Sequence, residues 1–379
     1  MKKQLLCTSA IALGVAAAAP ASAAEWNLDW GGFMNTHLAI GDLGGNVTAG
    51  VDLDGDGFDI LQTGEIIFTP SITLDNGLTF GVNVQMEALN AAGGADGIDE
   101  AYISISSDTF GQLDIGSENS AGYKSMVAGA STTSLFINSP SISAFIPFSA
   151  VLPGNFRQAA ISSYTEVGGN NDVNRITYYT PSFNGLTVGV SFAPSGALNA
   201  NTSGFGVDQN TVLSDIFDIG INYSQTFGNV DVSFGARWGT GDAPSITGGG
   251  AATGLSDPET WGVGFQVGVS GFTFGAAYTE NDNGAAAGVG DQEGYSIGVA
   301  YDAPGPWTFG LETYFGEYTG TGTGAADETY EAYQLGASRS LGSGVTWQVH
   351  LTYVEADDEG TVGTDLDGTV LGTSINLSF

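Results

Sequence analysis

The densest run of metal-ligating side chains is VDLDGDGFDI, residues 51–60, in which four aspartates are separated by glycines and apolar residues. Asp52, Asp54 and Asp56 match positions one, three and five of an EF-hand loop, but position twelve is Thr63, where an EF-hand carries a glutamate. Together with Asp59 they offer the hard oxygen ligands that Ca²⁺ prefers. The run predicts either a loop that binds Ca²⁺ or an acidic loop that is only solvated. No other feature requires a cofactor.

Acid–base and nucleophilic catalysis have few candidate residues. The chain contains two histidines, His37 and His350, and one cysteine, Cys7. It has no phosphate-binding loop, no His-Glu metal motif and no nucleophile elbow. We therefore predict that the protein is not an enzyme, and we interpret both histidines as polar residues on strand faces.

The first residues have the pattern of an export signal. Residues 1–23 begin with two lysines after Met1, continue with an apolar run and end on the small residues Ala21-Ser22-Ala23. We expect cleavage after Ala23 or Ala24, which leaves residues 24–379 as the mature chain. Cys7 would leave with the signal, so the mature chain would have neither a thiol nor a disulfide.

Composition and charge narrow the function further. Only 13% of residues are charged, against about 25% in soluble domains, and 59 are glycine. Seven basic residues stand against 41 acidic ones, so nucleic acid and anionic lipid are poor partners and cations are better ones. After the signal, no apolar run approaches the roughly 18 to 20 residues of a membrane helix.

Short segments with alternating polarity recur along the chain. In residues 186–192, LTVGVSF, the apolar side chains share one face, which is typical of a strand with unlike faces. The same alternation occurs in residues 80–88, 230–238, 307–315, 345–353 and 371–379. Tilted strands of nine to eleven residues cross a bilayer.

The connections alternate between tight turns and longer Gly- and Asp-rich loops. The seven predicted turns lie at residues 75–77, 107–110, 181–185, 228–229, 270–271, 303–305 and 341–344. The eight predicted loops lie near residues 41–57, 90–98, 118–172, 194–213, 241–257, 282–290, 318–327 and 356–367. This pattern predicts about sixteen antiparallel strands, with both termini on the short-turn, periplasmic side.

A sheet in hydrocarbon cannot leave an edge unpaired, so the last strand must pair with the first and close a barrel. On the final strand Leu371, Ile375, Leu377 and Phe379 share one face with Thr373, and small polar residues occupy the other. This division between an apolar and a polar face predicts that lipid contacts the outside of the barrel and water fills its inside.

Three stretches resemble the general porins of Gram-negative bacteria, particularly those of alphaproteobacteria. They are EIIFTPSITLDNGLTFGVNVQMEA from Glu65, DTFGQLDIGSENSA from Asp108 and NRITYYTPSFNGLTVGVSF from Asn174. The terminal Phe379 is similar to the signal that the barrel-assembly machinery recognises. The resemblance implies a homotrimer of sixteen-stranded barrels, each with its third loop, about residues 118–172, folded into the lumen as a constriction. The Pro-Glu-Phe-Gly-Gly-Asp type of motif at the loop tip of enteric porins is missing here.

Alternate residues of a strand point to opposite faces, so the parity of a residue, its odd or even position along the strand, identifies the candidate pore residues. Arg175 and Arg237 fall on lumen-facing positions and could form the basic side of a transverse field. The alternative is that each lies at a rim or neutralises a loop carboxylate. Arg157 and Glu118 are further constriction candidates because they are charged residues of an otherwise weakly charged third loop.

Four other polar residues share the lumen parity and are candidate wall residues. They are Glu65, Glu87, Glu312 and His350. A carboxylate that faced lipid would carry a free-energy penalty that depends on depth.

The leading hypothesis is an all-β outer-membrane channel for passive diffusion of small hydrophilic solutes and ions, with a preference for cations. Its other expected partners are outer-membrane lipid, identical subunits in a homotrimer and the barrel-assembly machinery. The alternative is an acidic, calcium-binding surface protein that uses the barrel as an anchor.

Overall fold

The computed structural model describes residues 25–48, 51–89, 97–135, 137, 166–198, 207–285, 290–320, 327–358 and 364–379. Nearly all of its regular structure is β-strand. In chain order the elements are β1 (Trp30–Thr48), β2 (Val51–Asp54), β3 (Gly57–Phe68), β4 (Ser71–Thr73), β5 (Thr79–Glu87), β6 (Ile98–Ser107), β7 (Gly111–Glu118), α1 (Ala121–Ser125), β8 (Val173–Tyr179), β9 (Leu186–Ser195), β10 (Ser214–Phe227), β11 (Val230–Asp242), β12 (Glu259–Val269), β13 (Phe272–Asp282), β14 (Gln292–Asp302), β15 (Trp307–Tyr318), β16 (Glu328–Gly342), β17 (Val345–Asp358) and β18 (Thr364–Ser378). Single turns of 3-10 helix lie at Val167–Gly169 and Gln209–Thr211.

The described strands form one closed antiparallel barrel. β2 and β3 pair end to end with β1, and β3 and β4 pair end to end with β5, so these three segments make one strand of the wall. The eighteen segments are therefore sixteen barrel strands. β18 pairs with β1 from Phe33 opposite Ser378 to Asn46 opposite Asp365. This confirms the predicted fold class and the predicted pairing of the last strand with the first.

The seven predicted turns each separate two adjacent strands, which confirms the hairpin pattern. Several need a backbone conformation that glycine adopts at low cost: φ is 82° at Gly77, 67° at Gly228 and 83° at Gly271. Gly271 follows Ser270, which also has a positive φ, of 53°. Both residues of a tight type I′ hairpin turn require such values.

Two predicted loops are shorter than expected. β1 continues to Thr48 and β2 occupies residues 51–54, inside the predicted first loop at 41–57. β17 continues to Asp358 and β18 begins at Thr364, inside the predicted last loop at 356–367. These strand ends are rich in Asp and Gly. Water can solvate both faces of a strand beyond the bilayer, so the alternation of polarity that marks the membrane-crossing part is lost there.

The two faces of the wall differ as the alternation predicts. On β18, Leu371, Ile375 and Leu377 are exposed on the outside, while Ser374 is buried on the inside. Large outward side chains on other strands are also exposed, including Ile297, Phe309 and Leu335. The exposure of these apolar side chains marks a surface for lipid. No helix in the described ranges has the length and apolar character needed to cross a membrane.

The main buried apolar cluster lies inside the barrel, not between two sheets. It joins inward side chains of β1 and β15–β18, such as Tyr314, Tyr330 and Leu366, to Leu135 and Ile137 of the segment after α1. The cluster therefore holds part of the third loop against the inner wall.

Adjacent positions on β11 test the assignment of faces. Phe234 is exposed on the outer face, and Ser233 points into the barrel. We expect Phe234→Lys to lower the free energy of unfolding by about 2–4 kcal/mol, because a charge near the bilayer midplane is costly. Ser233→Lys should change it by about 0.5 kcal/mol or less. Urea-dependent unfolding in lipid vesicles, followed by tryptophan fluorescence, measures both; equal losses would contradict the assignment.

Candidate functional site

The third loop returns into the barrel directly after β7. We call residues 120–135 the inner belt. It begins with α1, which is capped by the Ser120 side chain. The Ala121 amide donates to Ser191 Oγ on β9 at 3.1 Å, and the Asn222 side chain on β10 donates to the Ser125 carbonyl oxygen at 3.1 Å. These bonds fix the start of the belt to the inner wall.

The rest of the belt follows the inner wall, strand by strand, as far as β18. On β12 and on β14–β18, a belt residue is hydrogen-bonded to an inward polar side chain. The bonds are Gln266 Nε2 to the Ala128 oxygen at 3.0 Å, the Gly129 amide to Ser296 Oγ at 3.1 Å, Ser131 Oγ to Glu312 Oε1 at 3.0 Å, Thr133 Oγ1 to Gln334 Oε1 at 2.5 Å, the Ser134 amide to Gln348 Oε1 at 2.9 Å and Ser134 Oγ to Asn376 Oδ1 at 3.0 Å. The described part of the third loop therefore narrows the lumen from the side of β9–β18.

Glycines on the wall let the belt approach this closely. A Cβ atom added at Gly264 would overlap the Val127 carbonyl oxygen, and one at Gly235 would lie 2.5 Å from the Ser125 oxygen. Several inward glycines share this property, with belt atoms closer than any real Cβ tolerates. They are Gly220, Gly235, Gly264, Gly298, Gly310 and Gly336. Part of the high glycine content thus serves the contact between the belt and the wall.

A buried ionic network ties both ends of the third loop to β10 and β11. Arg237 Nη2 lies 2.5 Å from Asp218 Oδ1 and 3.3 Å from Glu166 Oε2. Glu166, near the end of the loop, also accepts hydrogen bonds from the amide and the hydroxyl of Ser120 at 2.7 and 2.6 Å. All of these side chains are buried. Arg237 therefore neutralises a loop carboxylate, which is the alternative that its sequence position left open.

Arg175 lies on the inner face of β8, as parity predicts, and is buried there. Its Nη2 donates to the Asn170 carbonyl oxygen at 2.8 Å. It is also close enough to Asp218 to act on that carboxylate electrostatically, so the fold brings Arg175 and Arg237 to one site. Arg157 lies outside the described residues. The contribution of these arginines to a transverse field stays a prediction.

Glu118 belongs to a second charged cluster, on the inside of β6 and β7. Lys124 Nζ lies 2.8 Å from Glu118 Oε2, 3.7 Å from Glu100 Oε1 and 4.8 Å from the centre of the Tyr102 ring. Burial lowers the pKa of Lys124, but the neighbouring carboxylates raise it by more, so its pKa lies above the ordinary value. Lys124 therefore keeps its positive charge at neutral pH.

The predicted wall carboxylates divide between two environments. Glu65 on β3 and Glu87 on β5 lie directly opposite each other in the strand register, and both are half-buried. Glu312 on β15 is buried beneath the belt, where its carboxylate accepts the Ser131 hydrogen bond. His350 is buried on the inner face of β17.

Besides Asp218 on β10, two inward carboxylates on β6 and β7 escaped the sequence interpretation. Glu100 on β6 accepts hydrogen bonds from Gln85 Nε2 at 2.7 Å and from the Asn119 amide at 3.0 Å. Asp114 on β7 accepts two hydrogen bonds from Gln112. Both alternate with the outward residues of their strands, so the parity argument used for Glu65 would have found them.

Asp172 lies just before β8 and belongs to the same side of the barrel. Burial raises its pKa to about 7, and the nearby carboxylates of Asp99 and Glu100 add to the shift. The group is therefore about half ionised near neutral pH, and its negative charge grows as the pH rises.

The four aspartates of the first loop are spread along β2 and β3. Asp56 Oδ1 accepts a hydrogen bond from the Leu43 amide at 3.2 Å, and Asp54 Oδ1 accepts one from the Asp56 amide at 3.3 Å. Asp52 and Asp59 are exposed. Within the described ranges, no group of three or more His, Cys, Asp or Glu residues is arranged to hold a metal ion. Calcium binding by this loop stays a prediction of the sequence.

Removing Arg237 tests the buried network. We expect Arg237→Met to lower the free energy of unfolding by about 3–5 kcal/mol, because Asp218 and Glu166 would remain buried without a counter-charge. Adding Asp218→Asn should recover part of the loss. Arg339, which lies over the Trp307 ring at 5.5 Å, is the matched control, and Arg339→Met should cost about 0.5–1 kcal/mol. Equal costs for the two arginines in urea unfolding would argue against the network.

Filling a wall glycine tests the belt. We expect Gly264→Val to push the belt off the wall, since overpacking costs about 1–3 kcal/mol. The fraction of molecules in which the belt is detached from the wall would rise about tenfold or more. Trypsin would then cut after Lys124 correspondingly faster. Gly44, around which a Cβ meets nothing within 4 Å, provides the control Gly44→Val. The idea fails if both variants resist trypsin as the unaltered protein does.

Comparisons with known proteins agree with this architecture. A family model described as Gram-negative porin matches residues 8–359. The chain is 26% identical to a "Monosaccharide porin" of a Halomonas species and to a "Major outer membrane protein" of Halomonas elongata, each over 99% of both chains. Among solved structures, it is similar to an anion-selective porin from Comamonas acidovorans, with a TM-score of 0.61, 16% identity and coverage of 94% of this chain and 100% of that one. It is also similar to a trimer form of OmpT from Vibrio cholerae, with a TM-score of 0.61, 13% identity and coverage of 93% and 99%.

Proposed function

The chain belongs to the Gram-negative porin family, whose members are outer-membrane channels for passive diffusion of small hydrophilic solutes, and we propose that its channel prefers cations. The resemblance to porins found in the sequence is thereby confirmed. The preference for cations goes beyond the family assignment, and it rests on the balance of charge inside the barrel.

The observation that carries the proposal is the acidic inner face of β3–β7. This face presents five carboxylates, and they lie on the side of the lumen opposite most of the inner belt. They are Glu65 and Glu87, which are half-buried, and Glu100, Asp114 and Glu118, which are buried. The basic residue beside them is Lys124, whose charge is already shared between two of the carboxylates. The excess of negative charge that faces the path left open by the belt is therefore that of the half-buried Glu65 and Glu87.

The arginines do not offset this excess. Arg237 is fully buried and paired with two carboxylates, and Arg175 is buried against a backbone oxygen. Charged groups lining a narrow pore set ion selectivity because permeating ions must pass close to them. Interactions of partly buried charges are also screened less than those of the exposed charges on the outer loops. A cation should therefore meet a lower barrier than an anion of the same size.

We extend the proposal to the partners of the channel. One structure with a similar fold is of a trimer form, and the same assembly would place identical barrels side by side. The exposed apolar outer face suits outer-membrane lipid. Phe379 is exposed at the end of β18, where its backbone is hydrogen-bonded to Gly32, so its ring is accessible to the barrel-assembly machinery. The proposal assigns no catalytic role to the chain.

Reversal potentials across a salt gradient test the preference for cations. We expect the unaltered channel to favour K⁺ over Cl⁻, and the double variant Glu65→Gln with Glu87→Gln to lower that ratio several-fold, because each carboxylate attracts a cation that passes close to it and repels an anion. Glu317 is exposed on the outer face of β15, and Glu317→Gln removes the same charge away from the lumen. It should leave the ratio unchanged. A channel that favours Cl⁻ would overturn the proposal.

A further inference from the structure

The two histidines of the chain lie near each other on the inner wall. In the closed barrel, β18 lies between β1, which carries His37, and β17, which carries His350. His37 lies opposite Ser374 of β18, and His350 lies opposite Gly372, the next inward position of the same strand. Residues far apart in the sequence are therefore separated by a single strand.

The His350 ring reaches across that strand. A Cβ atom added at Gly372 would lie 2.6 Å from Cε1 and 3.0 Å from Cδ2 of the ring, and closer still to Nε2. The imidazole therefore rests on the bare backbone of Gly372 with its Nε2 edge directed away from β17, toward β1. There it is close enough to His37 for the two rings to interact electrostatically.

The bonding of His350 leaves one ring nitrogen available. Its Nδ1 lies 3.1 Å from Thr352 Oγ1, which in turn accepts a hydrogen bond from Gln334 Nε2 at 3.0 Å. Its Nε2 is buried without a hydrogen-bond partner. A histidine that binds a metal through one nitrogen typically has the other fixed by a hydrogen bond of this kind, which sets the tautomer and the ring orientation.

We propose that His37 and His350 form a site for a borderline divalent transition-metal ion, such as Cu²⁺ or Zn²⁺, on the inner wall of the pore. Imidazole nitrogen suits these ions, whereas Ca²⁺ and Mg²⁺ require oxygen ligands. The His350 contacts named above are neutral, so the site offers nitrogen donors without adding carboxylates. The two imidazoles are its protein nitrogen ligands, and water completes the coordination.

A metal ion at this position would link β1 to β17 across the seam at which the barrel closes. Because the two histidines come together only when β18 has paired with β1, the ion would bind the folded barrel in preference to the unfolded chain. Such binding raises the free energy of unfolding with the logarithm of the ion concentration once that concentration exceeds the dissociation constant. Both rings are buried, at 2% and 1% exposure, so we expect slow association.

The chain suits a direct test because it has only these two histidines and its single cysteine lies within the first 23 residues. Tag-free protein folded in detergent would be titrated with Cu²⁺ and examined by electron paramagnetic resonance and calorimetry. We expect one equivalent per chain, with hyperfine splitting from two nitrogens. His37→Gln and His350→Gln should each abolish this signal, and Ca²⁺ should not compete.

Gly372→Ala distinguishes one metal site shared by both histidines from two imidazoles that each bind metal independently. It keeps both histidines but fills the space under the His350 ring, so we expect affinity for Cu²⁺ to fall about 10- to 100-fold, as when a positioning group is lost. Gly44→Ala, in open space on β1, is the control. Unchanged affinity in Gly372→Ala, or full binding in either single histidine variant, would overturn the proposal.

A measurement on the unaltered protein covers the case in which a variant does not fold. With ¹³C-labelled histidine, both imidazole signals should shift together as Zn²⁺ reaches one equivalent. Signals that shift separately, or that do not shift at all, would rule out a shared site. This outcome does not depend on the ion selectivity of the channel.

Discussion

Backbone hydrogen bonding is the constraint on which the rest of this structure depends. Every N–H and C=O group in hydrocarbon must find a partner within the protein, at a cost of several kcal/mol for each that does not. Pairing of β18 with β1 satisfies that requirement for the whole wall. Closure then fixes which side of each strand meets lipid and which side encloses the lumen. It also brings the two ends of the chain, and with them His37 and His350, to one seam.

The inner belt is the second consequence of a closed wall. A loop that enters the lumen must satisfy its own polar groups, and it does so against inward side chains of β9, β10, β12 and β14–β18. Close approach is achieved through glycine, since the wall at Gly264 and Gly298 offers backbone where other residues would place a side chain. The buried Arg237 network then fixes the two ends of the loop near one point. The acidic face of β3–β7 is left to line the remaining path.

The membrane-crossing strands could be predicted closely because lipid and water impose opposite polarities on alternate residues. The same parity placed Glu65, Arg175 and Arg237 on the inner face. The prediction was wrong where that contrast ends, at residues 41–48, 51–54, 356–358 and 364–367, because strands that extend into water need no alternation. Parity also says only that a side chain points inward. It could not say that Arg237 would be buried in an ion pair while Glu65 remained half-exposed.

The sequence by itself determined the barrel: the turns, the strand number, the face of each residue and the family, all of which follow from local alternation and short motifs. The tertiary structure decided what the inside does. The path of the inner belt, the pairing of Glu166 with Arg237 and the meeting of His37 with His350 depend on contacts between residues on distant strands. Such contacts exist only after the sheet has closed, so no local pattern in the sequence could record them.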